Sequence, residues 1–361
     1  MILSRTLRAF LVAGAAFAAA TARAESFHAF HGAAPGSGFE ESFVRAAGGN
    51  QPSVEPDEAI APFAAPDLAA VLAAAEEARP VPEARPHTFW IGVVSLATLA
   101  GSAYNSFTDG PNERFHFTNE GFFGRNTYTG GADKVAHFVD YNLAQGALAN
   151  TYRWVGYTYA QSSWIGFGTA VAAGLATEIG DGTTVFGFSW EDFAMDVFGA
   201  ATAMGLSRSG WNDTFGFRFG TFSQDEAPHC CIQNTNIGRD YSGEIYTADL
   251  KIAGLARRLR INPGPARFLL FSGTYGTNGY RHVAPELRQR LVGLEIGVNF
   301  SEILRSLGVP SDPLWGEVLY YFFDSFRIPY TAIGVRYDVN SGEWFGPTAG
   351  RTRFRAPSGS R

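Results

Sequence analysis

The hydrophobic pattern of the chain changes period near residue 210, which limits the fold to a helical part followed by a β part. Upstream lie four apolar or small-residue windows of helical length: 89–104, a segment opening at Gly130-Gly131 and Asp133, 154–177, and one running from Ser189 to Leu206. Downstream, 291–300 alternates strictly. Val292, Leu294, Ile296, Val298 and Phe300 share one face, and Gly293, Glu295, Gly297 and Asn299 the other. Similar alternation marks 214–222, 244–253, 267–275 and 330–339, with a sixth strand expected near 351–355 and an aromatic helix over 313–326, ahead of Pro329. The expected fold class is α+β: a small bundle of about four helices, then an antiparallel sheet or partial barrel. Bacterial single-chain barrels start at about eight strands, so a curved sheet packed on the helices is the first expectation and a membrane-spanning barrel its rival.

Arg5 and Arg8 precede an apolar run over 9–20 and then Ala22-Arg23-Ala24, the order of a secretory signal, so 1–24 is expected to direct export. No cysteine lies beside it, and the reading expects no lipid anchor there. The only cysteines, Cys230 and Cys231, are adjacent, a spacing that suits neither an unstrained disulfide nor a usual zinc site, and no role is assigned to them. Residues 25–87 hold eight of the 18 prolines, ten acids and three arginines. They read as a disordered acidic linker of charge -7, with one short helix expected at 67–79. The formal charge of -6 disfavours a nucleic-acid partner, and a mean hydropathy of -0.05 argues against a polytopic transporter. Residues 88–210 are then a helical domain with ten acids and five bases, and 211–361 a β-rich region with 14 acids and 17 bases. Two of the uncharged windows have the length of a membrane span, which keeps an inner-membrane location as an alternative to the periplasm or outer membrane.

Chemistry in the helical part rests on a few polar residues. Asp133 and His137 stand one turn apart, Glu178 and Asp181 close the third helix, and Asp192 and Asp196 share a face of the fourth. Ser189 reads as the cap of that fourth helix. Carboxylates at a helix carboxyl end oppose its dipole, so Glu178 and Asp181 call for a cation, and Lys134 and His137 are the nearest ones. The expectation is a buried network of Asp133, Lys134, His137, Glu178, Asp181, Asp192 and Asp196. It would serve as structural glue, as a divalent-metal site, or as an acid–base site with His137 as base and Glu178, Asp181 and Asp192 orienting it. A stripe of Gly166, Ala170, Gly174 and Glu178 reads as close helix packing.

Three motifs in this order, Asp133-Lys134-x-x-His137-Phe138, the Gly/Ala-rich helix ending Glu178-x-x-Asp181, and the run from Gly187 through Ser189, Asp192 and Asp196 to Ala200, resemble the YfiM-like family of predicted periplasmic lipoproteins over about 130–206. The Asp-Lys-x-x-His start is also similar, more weakly, to VanZ-like membrane proteins. The family resemblance implies an envelope location and a small helical unit, and it implies no activity.

The leading functional expectation is a non-enzymatic envelope protein that binds or scaffolds at the periplasm or outer membrane, with a membrane or membrane protein as partner. The alternative is an envelope lipid or cell-wall hydrolase or transferase using the His/acid site. No cofactor is predicted, and a divalent metal at that site is kept as the alternative. Arginines such as Arg257, Arg258 and Arg260 would suit anionic headgroups.

Overall fold

The computed structural model describes residues 88–107, 113–221, 241, 244–280 and 285–348. The expected signal, linker and short helix within 1–87, the pair Cys230 and Cys231, and the strand expected at 351–355 lie outside the described residues.

Four long helices come first: α1 (Thr88–Phe107), α2 (Ala132–Trp154), α3 (Tyr159–Asp181) and α4 (Trp190–Arg208). The short strands β1 (Phe117–Thr118) and β2 (Phe188–Ser189) pair in parallel beside them. Local chemistry sets the helix starts. Thr158 and Gln161 form a reciprocal capping box on α3, and the Ser189 hydroxyl accepts the Asp192 N–H at the head of α4. The start of α2 is glycine-dependent, because Gly130 and Gly131 both carry positive φ (67° and 91°). No helix among the described residues is long and apolar enough to cross a membrane.

Small residues let these helices approach closely. A Cβ on Gly199 of α4 would fall 2.1 Å from the Phe138 carbonyl of α2, and one on Gly166 would fall 2.9 Å from the Ala149 nitrogen. Gly174 does something different. The space where its Cβ would sit is taken by the Asp196 carboxylate, 2.6 Å away, so the bare backbone of α3 makes room for a buried acid. The stripe expected to serve packing thus also seats a buried carboxylate.

The β part is a six-stranded antiparallel meander in sequence order. Its strands are β3 (Phe215–Thr221), β4 (Glu244–Lys251), β5 (Leu269–Asn278), β6 (Gln289–Val298), β7 (Ala332–Asp338) and β8 (Trp344–Thr348). It is not closed among the described residues, so the fold is α+β with the helical region before an open sheet. Between strands come α5 (Ile252–Leu259), α6 (Phe300–Ser306) and α7 (Leu314–Ser325). Apolar contacts join the sheet to the bundle. Ala136, Phe138, Val139 and Leu143 of α2 pack with Phe219, Tyr241 and Tyr246 in one buried cluster.

Register sorts the sheet into two unlike faces. One row reads Phe215, Leu250, Phe271, Ile296, Ile333, and the next reads Phe217, Ala248, Gly273, Leu294, Val335. The opposite face carries Arg218, Asp249, Ser272, Glu295 and Arg336. The polar face is the buried one: Arg218, Asp249 and Glu295 are 3%, 3% and 5% exposed, while Leu294 is 71% exposed. A soluble sheet packed on helices would bury its apolar face instead. The charged groups of the polar face are paired internally, while the buried Thr247 and Thr274 hydroxyls beside them make no hydrogen bond. Arg218 forms a two-pronged pair with Asp249, which also accepts the Ser272 hydroxyl at 2.6 Å. Arg327, just after α7, grips Glu295 through bonds of 2.7 and 3.0 Å.

Candidate functional site

The first two turns of α2 supply Asp133, Lys134 and His137; α3 ends in Glu178 and Asp181; the first two turns of α4 supply Asp192 and Asp196. All seven are buried. Lys134 Nζ is fully enclosed and pairs with Asp133 (3.2 Å), Asp192 (2.7 Å) and Glu120. His137 Nδ1 donates to Asp196 Oδ1 at 2.7 Å, and its other nitrogen, Nε2, lies 3.9 Å from Asp133 Oδ1 and 3.9 Å from Asp192 Oδ1. The Glu178 carboxylate accepts the Ser189 N–H at 2.9 Å, which ties the end of α3 to the start of α4. Tyr141, a turn beyond His137, stacks on it with centroids 6.4 Å apart and meets Thr177 at 3.2 Å.

Two members carry no signal in the motifs. Glu120 comes from the connector before α2, and Tyr241, which donates its hydroxyl to Asp133, comes from the stretch between β3 and β4. The head of α2 is tied down by Thr129, whose hydroxyl accepts the Asp133 N–H at 3.0 Å. Lys134 is turned to Glu120, Asp133 and Asp192, while the Glu178 carboxylate accepts the backbone N–H of Ser189.

These groups line a cavity of about 20 Å³, bordered by Glu120, Asp133, His137, Glu178, Asp181 and Asp192 among others. That is on the order of the space one water or one monatomic ion needs. Six carboxylates (Glu120, Asp133, Glu178, Asp181, Asp192, Asp196) face two cations, Lys134 and His137. Their protonation reflects the imbalance. Burial, with Asp133 and Asp192 adding repulsion, pushes Glu120 up to about 8. Burial pushes Glu178 up to about 9, and Asp196 up to about 7 against the pull of His137. For His137 burial acts downward, but Asp192, Asp196 and Asp133 outweigh it and hold its pKa well above the ordinary value.

All these shifts act on stability in one direction. An acid with a raised folded pKa binds its proton more tightly in the fold, so stability drains away as pH rises past the ordinary carboxylate value. His137 contributes fully below its unfolded pKa and loses its contribution as pH climbs through the raised one. In chelating buffer, Tm should therefore fall steadily from about pH 5 to about pH 9, the range bounded above by Glu178. A Tm that rises over that range would show the carboxylates to be ionised and satisfied.

Two donor sets could hold a metal: Asp133, His137 and Asp192, and His137, Glu178 and Asp196, each with ligand atoms within 4.8 Å of one another. In the first set, Asp196 fixes the imidazole through Nδ1 and leaves Nε2 facing two carboxylate oxygens, the arrangement that orients histidine ligands in metal proteins. Asp192 Oδ1 also lies 2.7 Å from the Lys134 ammonium, so a metal held there would share this oxygen with that cation.

Residues 119–208 match the family model for a predicted periplasmic lipoprotein (DUF2279). This agrees with the resemblance carried by the three motifs. The matched stretch holds every member of the cluster except Tyr241. No curated protein and no solved structure matches the chain.

Proposed function

We propose that this chain is a non-enzymatic binding protein of the cell envelope whose helical unit holds one divalent cation between Asp133, His137 and Asp192. The single observation that carries the reading is the commitment of His137 Nδ1 to Asp196, which presents Nε2 to two carboxylate oxygens 3.9 Å away. Each gap is close to two metal–ligand bonds of about 2.0–2.2 Å laid at an angle. The mixed imidazole and carboxylate donors suit a first-row divalent ion such as Zn²⁺ or Mn²⁺. A bound ion would offset the charge excess and join the heads of α2 and α4. The reading keeps the protein at the periplasmic side of the envelope, in line with the family that its helical segment matches.

The test is metal titration of the purified full chain after chelation, by calorimetry and elemental analysis. One equivalent should bind. Asp196→Asn, which leaves all three ligands in place, should weaken binding roughly 10–100-fold. His137→Ala should abolish it. Absence of stoichiometric metal, or affinity indifferent to Asp196→Asn, would overturn the reading.

A further inference from the structure

The sheet is built inside out for a water-facing wall, and a chemistry must meet its apolar side. α2 covers one corner of this face, the patch of Phe217, Phe219, Tyr246 and Tyr275 on β3, β4 and β5, where Phe138 packs edge-on to Phe217 at 4.8 Å. Beyond it, Phe271, Leu294, Ile296 and Ile333 stand 46%, 71%, 43% and 54% exposed on adjoining strands. A groove of about 420 Å³ runs between α4 and these strands, lined by Leu206, Phe215, Leu250, Phe271 and Leu294 among others.

Two features of this surface select its occupant. The first is the lack of polar side chains in either row across five strands. Protein interfaces carry about one hydrogen bond per 100–200 Å², whereas hydrocarbon asks for none. The second is charge and ring placement at one end of the sheet, where β4 ends, β5 starts and β7 starts. Arg260 and Arg267 are exposed there with no acidic partner among the described residues, beside Leu259, Ile261 and Tyr330 at 59%, 58% and 68% exposure. Arg258 lies over the Trp211 ring at 3.9 Å, and Arg267 over Phe268 at 4.6 Å. At the far end Trp344 is 71% exposed and pairs with Tyr337. Apolar rows bordered by aromatics, with cations on one border, complement acyl chains and anionic headgroups.

We infer that the apolar face of the β3–β8 sheet docks on one leaflet of an anionic bilayer, with acyl chains against Phe271, Leu294, Ile296 and Ile333 and headgroups against Arg260 and Arg267. The sheet is open among the described residues, and an open edge is not tolerated in hydrocarbon, so the inference places this face on the leaflet and not through it. The inference is independent of the metal reading, since it uses none of the same side chains.

The experiment is flotation of the full chain with phosphatidylethanolamine–phosphatidylglycerol vesicles and with uncharged phosphatidylcholine vesicles, with circular dichroism and light scattering on every variant. Wild type should float with the anionic vesicles. Leu294→Gln and Ile333→Gln change no charge and lie on the surface, and each should weaken binding about tenfold or more. Arg260→Gln with Arg267→Gln should cost about fivefold per residue on anionic vesicles only, and the loss should be mimicked by added salt. Binding that ignores Leu294→Gln and Ile333→Gln, or failure of wild type to float, would overturn the inference. So would a wild-type dimer that these two substitutions dissociate without changing flotation, because the face would then meet a second copy.

Discussion

Lys134→Met should lower folding stability by about 3–5 kcal/mol, because it strands buried carboxylates without their shared cation. Lys134 is fully enclosed, one of only two lysines in the chain, and touches Glu120, Asp133 and Asp192 at once. Methionine keeps the length and apolar stem, so the loss isolates the charge. The size of the effect should depend on pH. Near pH 5 Glu120, whose pKa is already pushed up to about 8, is protonated and one repulsion is gone, so the deficit shrinks. Near pH 9 Glu120 is mostly ionised and the deficit is larger. Urea unfolding at the two pH values measures both numbers. An equal deficit at both would mean that the carboxylates rearrange towards water once the ammonium is lost.

Glu295→Ala should be about as damaging in the other half, again about 3–5 kcal/mol, for the mirror-image reason. Glu295 takes both prongs of Arg327 and lies 3.7 Å from Arg336, so its removal leaves two guanidinium groups in an interior where Arg327 is only 3% exposed. Arg336 already feels burial, which lowers its pKa, with Arg327 adding to that and Glu295 holding it up. Glu295→Gln retains an acceptor without the charge and should fall between wild type and Glu295→Ala. Hydrogen exchange should speed up first in β6 and β7. If exchange accelerates in α2 to the same degree, the sheet and bundle unfold together.

Much of the architecture was legible. The windows at 89–104 and 154–177, the opening at Asp133 and the cap at Ser189 correspond to α1, α3, α2 and α4, because period and caps are local signals. The alternation at 291–300 corresponds to β6, Gln289–Val298. Alternation could not tell which face would be buried. Val292, Leu294, Ile296 and Val298 share a face as expected, but the face that goes inside is that of Glu295, because Arg327 arrives from beyond α7 to satisfy it. Period gives a strand two faces and says nothing about partners distant in sequence. Short elements were also hidden. α5 begins inside the alternation of 244–253, α6 begins at the end of that of 291–300, and β8 is broken by Pro347. In the site, residues one turn apart were readable as neighbours. Glu120 and Tyr241 reach it only through tertiary folding, and nothing local marks them.

The first turn of α2 is held from the sheet side as well as from the bundle. Tyr241 ends on Asp133, and the Tyr275 hydroxyl of β5 donates to the Gly130 carbonyl at 2.5 Å, beside a glycine whose missing Cβ leaves room for the Tyr280 ring. The stretch recognisable by kinship, 119–208, is therefore shorter than the stretch that keeps its own chemistry in order. A gene fragment cut at residue 208 would carry every acid and base of the cluster but neither tyrosine clasp. Portability of the motif between proteins thus requires that each host supply its own clasp for the head of α2.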